Sequence, residues 1–94
     1  MPNTNKVLQR YLDPFPPIAT VRYKLHERGY VILVIYSLAG EHVKTLVNEV
    51  LEPGIYHVEW DGRNERGEEV DNGAYLYKML YNGDITTRNF LLIE

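Results

Sequence analysis

The chain has 94 residues, a length that supports one domain, and its 45% hydrophobic content with eight tyrosines and one tryptophan is enough for one core. A net charge of −3 argues against a nucleic-acid face, and there is no cysteine from which to build a disulfide framework or a thiolate site. No apolar run approaches the roughly 18–20 residues needed to span a bilayer, and no basic amphipathic stretch suits a membrane surface.

Residues 1–12 are polar and mixed, without the apolar stretch of a cleavable signal peptide. They read as an extended segment or linker, in which Val7, Leu8, Tyr11 and, just beyond, Phe15 are candidate interaction residues able to add as a strand to a neighbouring domain or copy. Asp13-Pro14-Phe15-Pro16-Pro17 is stiff and incompatible with helix, and it opens a domain over residues 13–94.

Strand-like segments then follow at short intervals. Residues 18–25 alternate, with Val21, Tyr23 and Leu25 on one face and Arg22 and Lys24 on the other; residues 26–29 turn the chain. Residues 30–38 are almost continuously apolar, as in a central or doubly covered strand, and Val34 and Tyr36 are assigned to the core. A turn at Ala39-Gly40-Glu41 leads to a short strand over 42–47, and residues 48–53 read as a loop ending in Pro53-Gly54.

In the next strand, 54–60, Tyr56, Val58 and Trp60 point inward while His57 and Glu59 point outward. Residues 61–72 form a long polar hairpin connection. Residues 74–81, with Tyr75 and Tyr77 inward, and residues 85–93 pair across Asn82-Gly83, the dipeptide that supplies the positive φ angles of a two-residue hairpin. The expected fold is all-β: an Ig-like antiparallel β-sandwich of about seven strands.

Little in the sequence carries chemistry. Ser37 is the only serine, and His26, His42 and His57 lie on separate elements, so no nucleophile–base pair is expected and no catalytic residue is assigned. The loop Asp61-Gly62-Arg63-Asn64-Glu65-Arg66-Gly67-Glu68-Glu69-Val70-Asp71 is rich in oxygen ligands, but Arg63 stands at an EF-hand ligand position and Arg66 where glycine is required. A hydrogen-bonded loop is the plainer reading, with no metal and no cofactor. Tyr75, Tyr77 and Tyr81 make a row that could stack on sugar rings, although such rows more often form half of a core.

From Asp13 to Glu94 the chain resembles the FlgD-type Ig-like domain, a family shared by flagellar hook-capping proteins and by the C-terminal sorting domains of type IX (Por) secretion cargo. The resemblance rests on Asp13-Pro14-Phe15-Pro16-Pro17, Thr20-Val21-Arg22-Tyr23-Lys24-Leu25, Ile35-Tyr36-Ser37-Leu38-Ala39-Gly40, the run Pro53 to Gly62, Asn72-Gly73-Ala74-Tyr75-Leu76-Tyr77 and the closing Thr87 to Glu94. Pro16 and Glu94 depart from the sorting-domain pattern. The resemblance implies a non-enzymatic module of a secreted or cell-surface protein, located extracellularly or at the cell surface, that serves as a sorting or attachment domain. A self-assembling structural subunit, docking through its N-terminal segment or a sheet edge, is the alternative; a carbohydrate-binding module is a second. The expected partner is a protein or further copies of this chain, without nucleic acid or membrane insertion.

Overall fold

The computed structural model describes residues 19–92, so the segment 1–12, the proline motif and the candidate contacts Val7, Leu8, Tyr11 and Phe15 lie outside the described residues. Six strands are present among them: β1 (Ala19–Leu25), β2 (Gly29–Ser37), β3 (His42–Leu51), β4 (Gly54–Trp60), β5 (Gly73–Tyr81) and β6 (Asp84–Leu92). This is one fewer than the expected seven or so. The six correspond to the six segments assigned one by one from the sequence, and the polar stretch between β4 and β5, read as a connection, adds only turns and a lone Arg63–Glu69 bridge because its side chains bond back onto their own backbone.

All strand pairs are antiparallel. β1 pairs with β4 as a two-stranded sheet, and the other four form a sheet of order β3-β2-β5-β6. Residues 61–72 therefore join two sheets, correcting their reading as a hairpin connection: β4 bonds to β1, and β5 bonds to β2 and β6. β3 also extends to Leu51, absorbing most of the expected loop, because Pro53-Gly54 alone reverses the chain.

Two buried clusters draw side chains from both sheets. One contains Val21 and Leu25 of β1 with Val31 and Leu33 of β2 and Val47 of β3; Tyr23, Tyr56, Val58, Tyr77, Met79 and Tyr81 are half-buried against it. The other gathers Ile35, Val43, Trp60, Tyr75 and Leu92, with Phe90 and Tyr77 at its margin.

Of the two β2 residues assigned to the core, Val34 is buried and Tyr36 only half-buried, and the phase of the strand sets both apart from the two clusters. Val31, Leu33 and Ile35 enter the clusters, so alternation turns Val34 and Tyr36 to the other face. Val34 is buried but belongs to neither cluster, and it stands between Thr45 and Lys78 in register. Tyr36 is half-buried, its ring edge-on to His42 with the Lys78 ammonium 5.4 Å from its centroid. A strand apolar on both faces gives no alternation from which to read the phase, and on β2 the outer residues Ile32 and Val34 are as apolar as the inner Leu33 and Ile35.

Candidate interaction surfaces

The inner side chains fix what is left for partners. Trp60 is 1% exposed, and its ring meets Tyr75 and Phe90 edge-on at 5.5 and 5.7 Å. Its indole Nε1 donates to the Arg63 carbonyl at 2.8 Å, tying the core to the loop that follows β4. Tyr75, 8% exposed, donates from its hydroxyl to the Asp71 carbonyl at 2.6 Å. A tyrosine near the start of a strand, bonded to backbone a few residues upstream at a corner between sheets, is the tyrosine corner of Ig-type domains. Burial pushes its hydroxyl pKa up, with the Asp71 carboxylate adding to the effect. Tyr23 stacks on Tyr56 at 5.5 Å and is shifted the same way, by burial first and then by Glu49 and Tyr56. The row Tyr75, Tyr77, Met79, Tyr81 is thus turned to the core and offers no sugar platform.

The loop after β4 is self-contained. The Asn64 side-chain oxygen accepts from the Arg66 and Glu68 amides at 2.9 and 3.0 Å, and the Asp61 carboxylate accepts from the Arg63 amide at 3.1 Å. Arg63 donates to the Gly67 carbonyl and lies 3.6 Å from Glu69, while Arg66 pairs with Glu68 at 3.1 Å. Bonds from Asn64 first and Arg66 second hold the Glu68 carboxyl below its ordinary pKa. The arginines and Asn64 thus occupy several of the oxygens that made the loop look like a calcium site, and no group of three or more metal-capable side chains occurs among the described residues. His57 and Glu59 are exposed on β4, and His26 is exposed in the turn after β1.

Glu65 has a different task. Its amide donates to the Val43 carbonyl at 3.1 Å, and its carboxylate accepts from the Thr45 amide at 2.8 Å. The loop thereby bridges the outer edge of β3 at Val43 and Thr45, and the pairing of β3 with β2 is also interrupted by register shifts at Leu33/Val34 and Ile35/Tyr36. Both devices protect a sheet edge against unwanted pairing.

The fold matches a known family. Residues 19–84, from the first residue of β1 to the first of β6, match the FlgD Ig-like domain. The chain belongs to that family. No curated protein and no solved structure matches it. This FlgD Ig-like domain is a structural module with an internal aromatic core, and no helix among its described residues is long and apolar enough to cross a membrane.

Two surfaces of the FlgD Ig-like domain remain, and neither stood out in the sequence. On the outer face of the four-stranded sheet, register places Val50 opposite Tyr30 and sets Ile32, Leu80 and Ile85 side by side across β2, β5 and β6. Tyr30, Val50, Leu80 and Ile85 are all exposed, and the Tyr30 hydroxyl donates to Asn48 at 2.5 Å. The second surface is the edge of β6, exposed from Asp84 to Asn89 and unpaired among the described residues. The Asn-Gly hairpin and the polar run Thr86-Thr87-Arg88-Asn89 after it were the signals that could have found it.

Proposed function

We propose that this domain is a non-enzymatic structural and interaction module of a secreted or cell-surface protein, acting as a C-terminal sorting or attachment unit. Its two sheets stack face to face as an Ig-type β-sandwich, a reading supported by clusters that take side chains from both. Membership of the FlgD Ig-like family supports the structural role. The single observation that carries an interaction role is the exposed apolar row Tyr30, Val50, Leu80 and Ile85, since contiguous apolar surface on a small domain marks a protein contact.

The test is export. The chain is fused behind a monomeric reporter and expressed in a bacterium with type IX secretion, and in the same strain lacking that machinery. Surface reporter only in the competent strain is the expected result; equal distribution in both refutes sorting.

The open edge of β6 favours a second reading, a subunit that assembles with further copies. Light scattering with negative-stain microscopy separates the two: fibres or closed oligomers support assembly, and an 11.0 kDa monomer supports the appended module.

A further inference from the structure

The direction of each backbone group on β6 follows from its hairpin. Tyr81 and Asp84 are paired across Asn82 and Gly83, whose φ values of 51° and 81° fit a type I′ turn. In such a turn the flanking residues are a hydrogen-bonded pair, and antiparallel pairing alternates from there. Asp84, Thr86, Arg88, Phe90 and Leu92 therefore bond to β5. The N–H and C=O groups of Ile85, Thr87, Asn89 and Leu91 point away from it, along the free edge.

The side chains on this edge are selective. Ile85 and Leu91, 66% and 67% exposed, lie on the outer face near either end. Between Asp84 and Leu92 the only charge is Arg88, exposed on the inner face and without an ion-pair partner among the described residues. An antiparallel strand laid on the edge in full register would face Arg88 in a non-hydrogen-bonded pair, the closer of the two spacings. A second β6 in that register would set Arg88 against Arg88, which is unfavourable, whereas a carboxylate there is favoured.

The other edges differ. That of β3 is bridged by Glu65 at Val43 and Thr45, β1 presents Thr20, Arg22 and Lys24 outward without an exposed large apolar side chain, and β4 presents the exposed Ile55 on the same face as the acidic Glu59 and carries no lysine or arginine.

We propose that the free edge of β6 is an acceptor for an extended peptide strand of a partner protein, carrying Asp or Glu opposite Arg88 and apolar side chains opposite Ile85 and Leu91. This deepens, and rests on, the reading of the domain as an interaction module. Backbone bonds to Ile85, Thr87, Asn89 and Leu91 supply the attachment, and Arg88 sets the preference.

The experiment uses the full 94-residue chain and two nine-residue peptides, each with valine at positions 2 and 8, threonine elsewhere, and glutamate or lysine at position 5. Amide NMR titration is the readout. The expected result is shifts and slowed exchange centred on the Ile85, Thr87, Asn89 and Leu91 amides. The glutamate peptide should bind roughly two- to five-fold more tightly, as a cross-strand charge pair gives. Arg88→Glu, at an exposed site, should invert the order.

Equal binding of the two peptides, no binding by either, or shifts confined to β1, β4 or the outer face overturns the proposal. So does slow exchange of those four amides in the dilute free chain, which would mean that another segment of the chain already covers the edge. Protection that rises with protein concentration alone would assign the edge to a second copy and overturns it as well. Each of these failures leaves the export result standing, whereas loss of sorting in the fusion assay refutes the module reading without bearing on peptide binding.

Discussion

Trp60→Ala is the most informative perturbation because one side chain serves both the core and the loop. The indole is buried between Tyr75 and Phe90, so truncation leaves a cavity that those two large rings cannot easily refill. Removing a buried aromatic in this way costs about 3–5 kcal/mol. The Arg63 carbonyl also loses its donor; Arg63 is only partly buried, so water can replace much of that bond and the added cost is about 1 kcal/mol. A domain of this size loses about 4–8 °C of midpoint per kcal/mol, so the alanine variant should melt at least about 12 °C lower. Trp60→Phe keeps an aromatic ring but no N–H donor and should cost about 1–2 kcal/mol. Far-UV circular dichroism follows both variants without relying on tryptophan fluorescence. Amide exchange at Glu65 and Val70 then reports the loop, and it should accelerate in both. A midpoint lowered by less than about 4 °C in the alanine variant would refute the packing argument. Unchanged loop exchange in the phenylalanine variant would refute the tether.

Other substitutions test separate parts of the fold. A Cβ at Gly29 would lie 2.8 Å from the Tyr81 ring, which its hydroxyl bond to the Glu27 carbonyl holds in place, so Gly29→Ala should cost about 1–3 kcal/mol in urea unfolding. Gly83→Ala meets no neighbour, but its φ of 81° should still cost about 1–2 kcal/mol by the same measurement. Tyr75→Phe should lose about 0.5–1.5 kcal/mol at neutral pH by removing the bond to Asp71. Because the folded pKa values of Tyr23 and Tyr75 are raised, the unfolded chain releases those protons first, so their contribution is intact below pH 10 and lost as pH rises through the folded values. The double variant Tyr23→Phe/Tyr75→Phe should accordingly show a shallower fall in urea midpoint above pH 10 than the parent. Glu65→Ala should speed amide exchange at Thr45 while leaving the core positions Leu33 and Ile35 of β2 protected.

Where one face was polar, the sequence carried the structure plainly. Val21, Tyr23 and Leu25 alternate with Arg22 and Lys24, and Tyr56, Val58 and Trp60 alternate with His57 and Glu59, so strand and facing were both readable. Asn82-Gly83 set the β5–β6 register through its turn geometry. β2 was recognisable as a strand but not in phase, since Ile32 and Val34 are as apolar as Leu33 and Ile35. The crossing of residues 61–72 between sheets was hidden because it depends on Trp60 and Glu65 finding backbone partners beyond their own strand, Glu65 bonding to Val43 and Thr45 across 20 or more positions. The candidate surfaces were obscured for a related reason. Leu80 and Ile85 meet across the local hairpin, but Tyr30 and Val50 join them only once the two longer-range registers of β2 with β3 and β5 are set.

The cover that Glu65 places on β3 gives the four-stranded sheet a handed role in any larger architecture. Among the described residues the β3 flank is bridged at Val43 and Thr45 while the β6 flank meets no further strand, so the two flanks are not equivalent. A strand arriving at β6 meets bare backbone, whereas one arriving along the whole of β3 must first displace the Glu65 loop. Removing the Glu65 carboxylate would free the Thr45 amide and lengthen the stretch of β3 open to unwanted pairing.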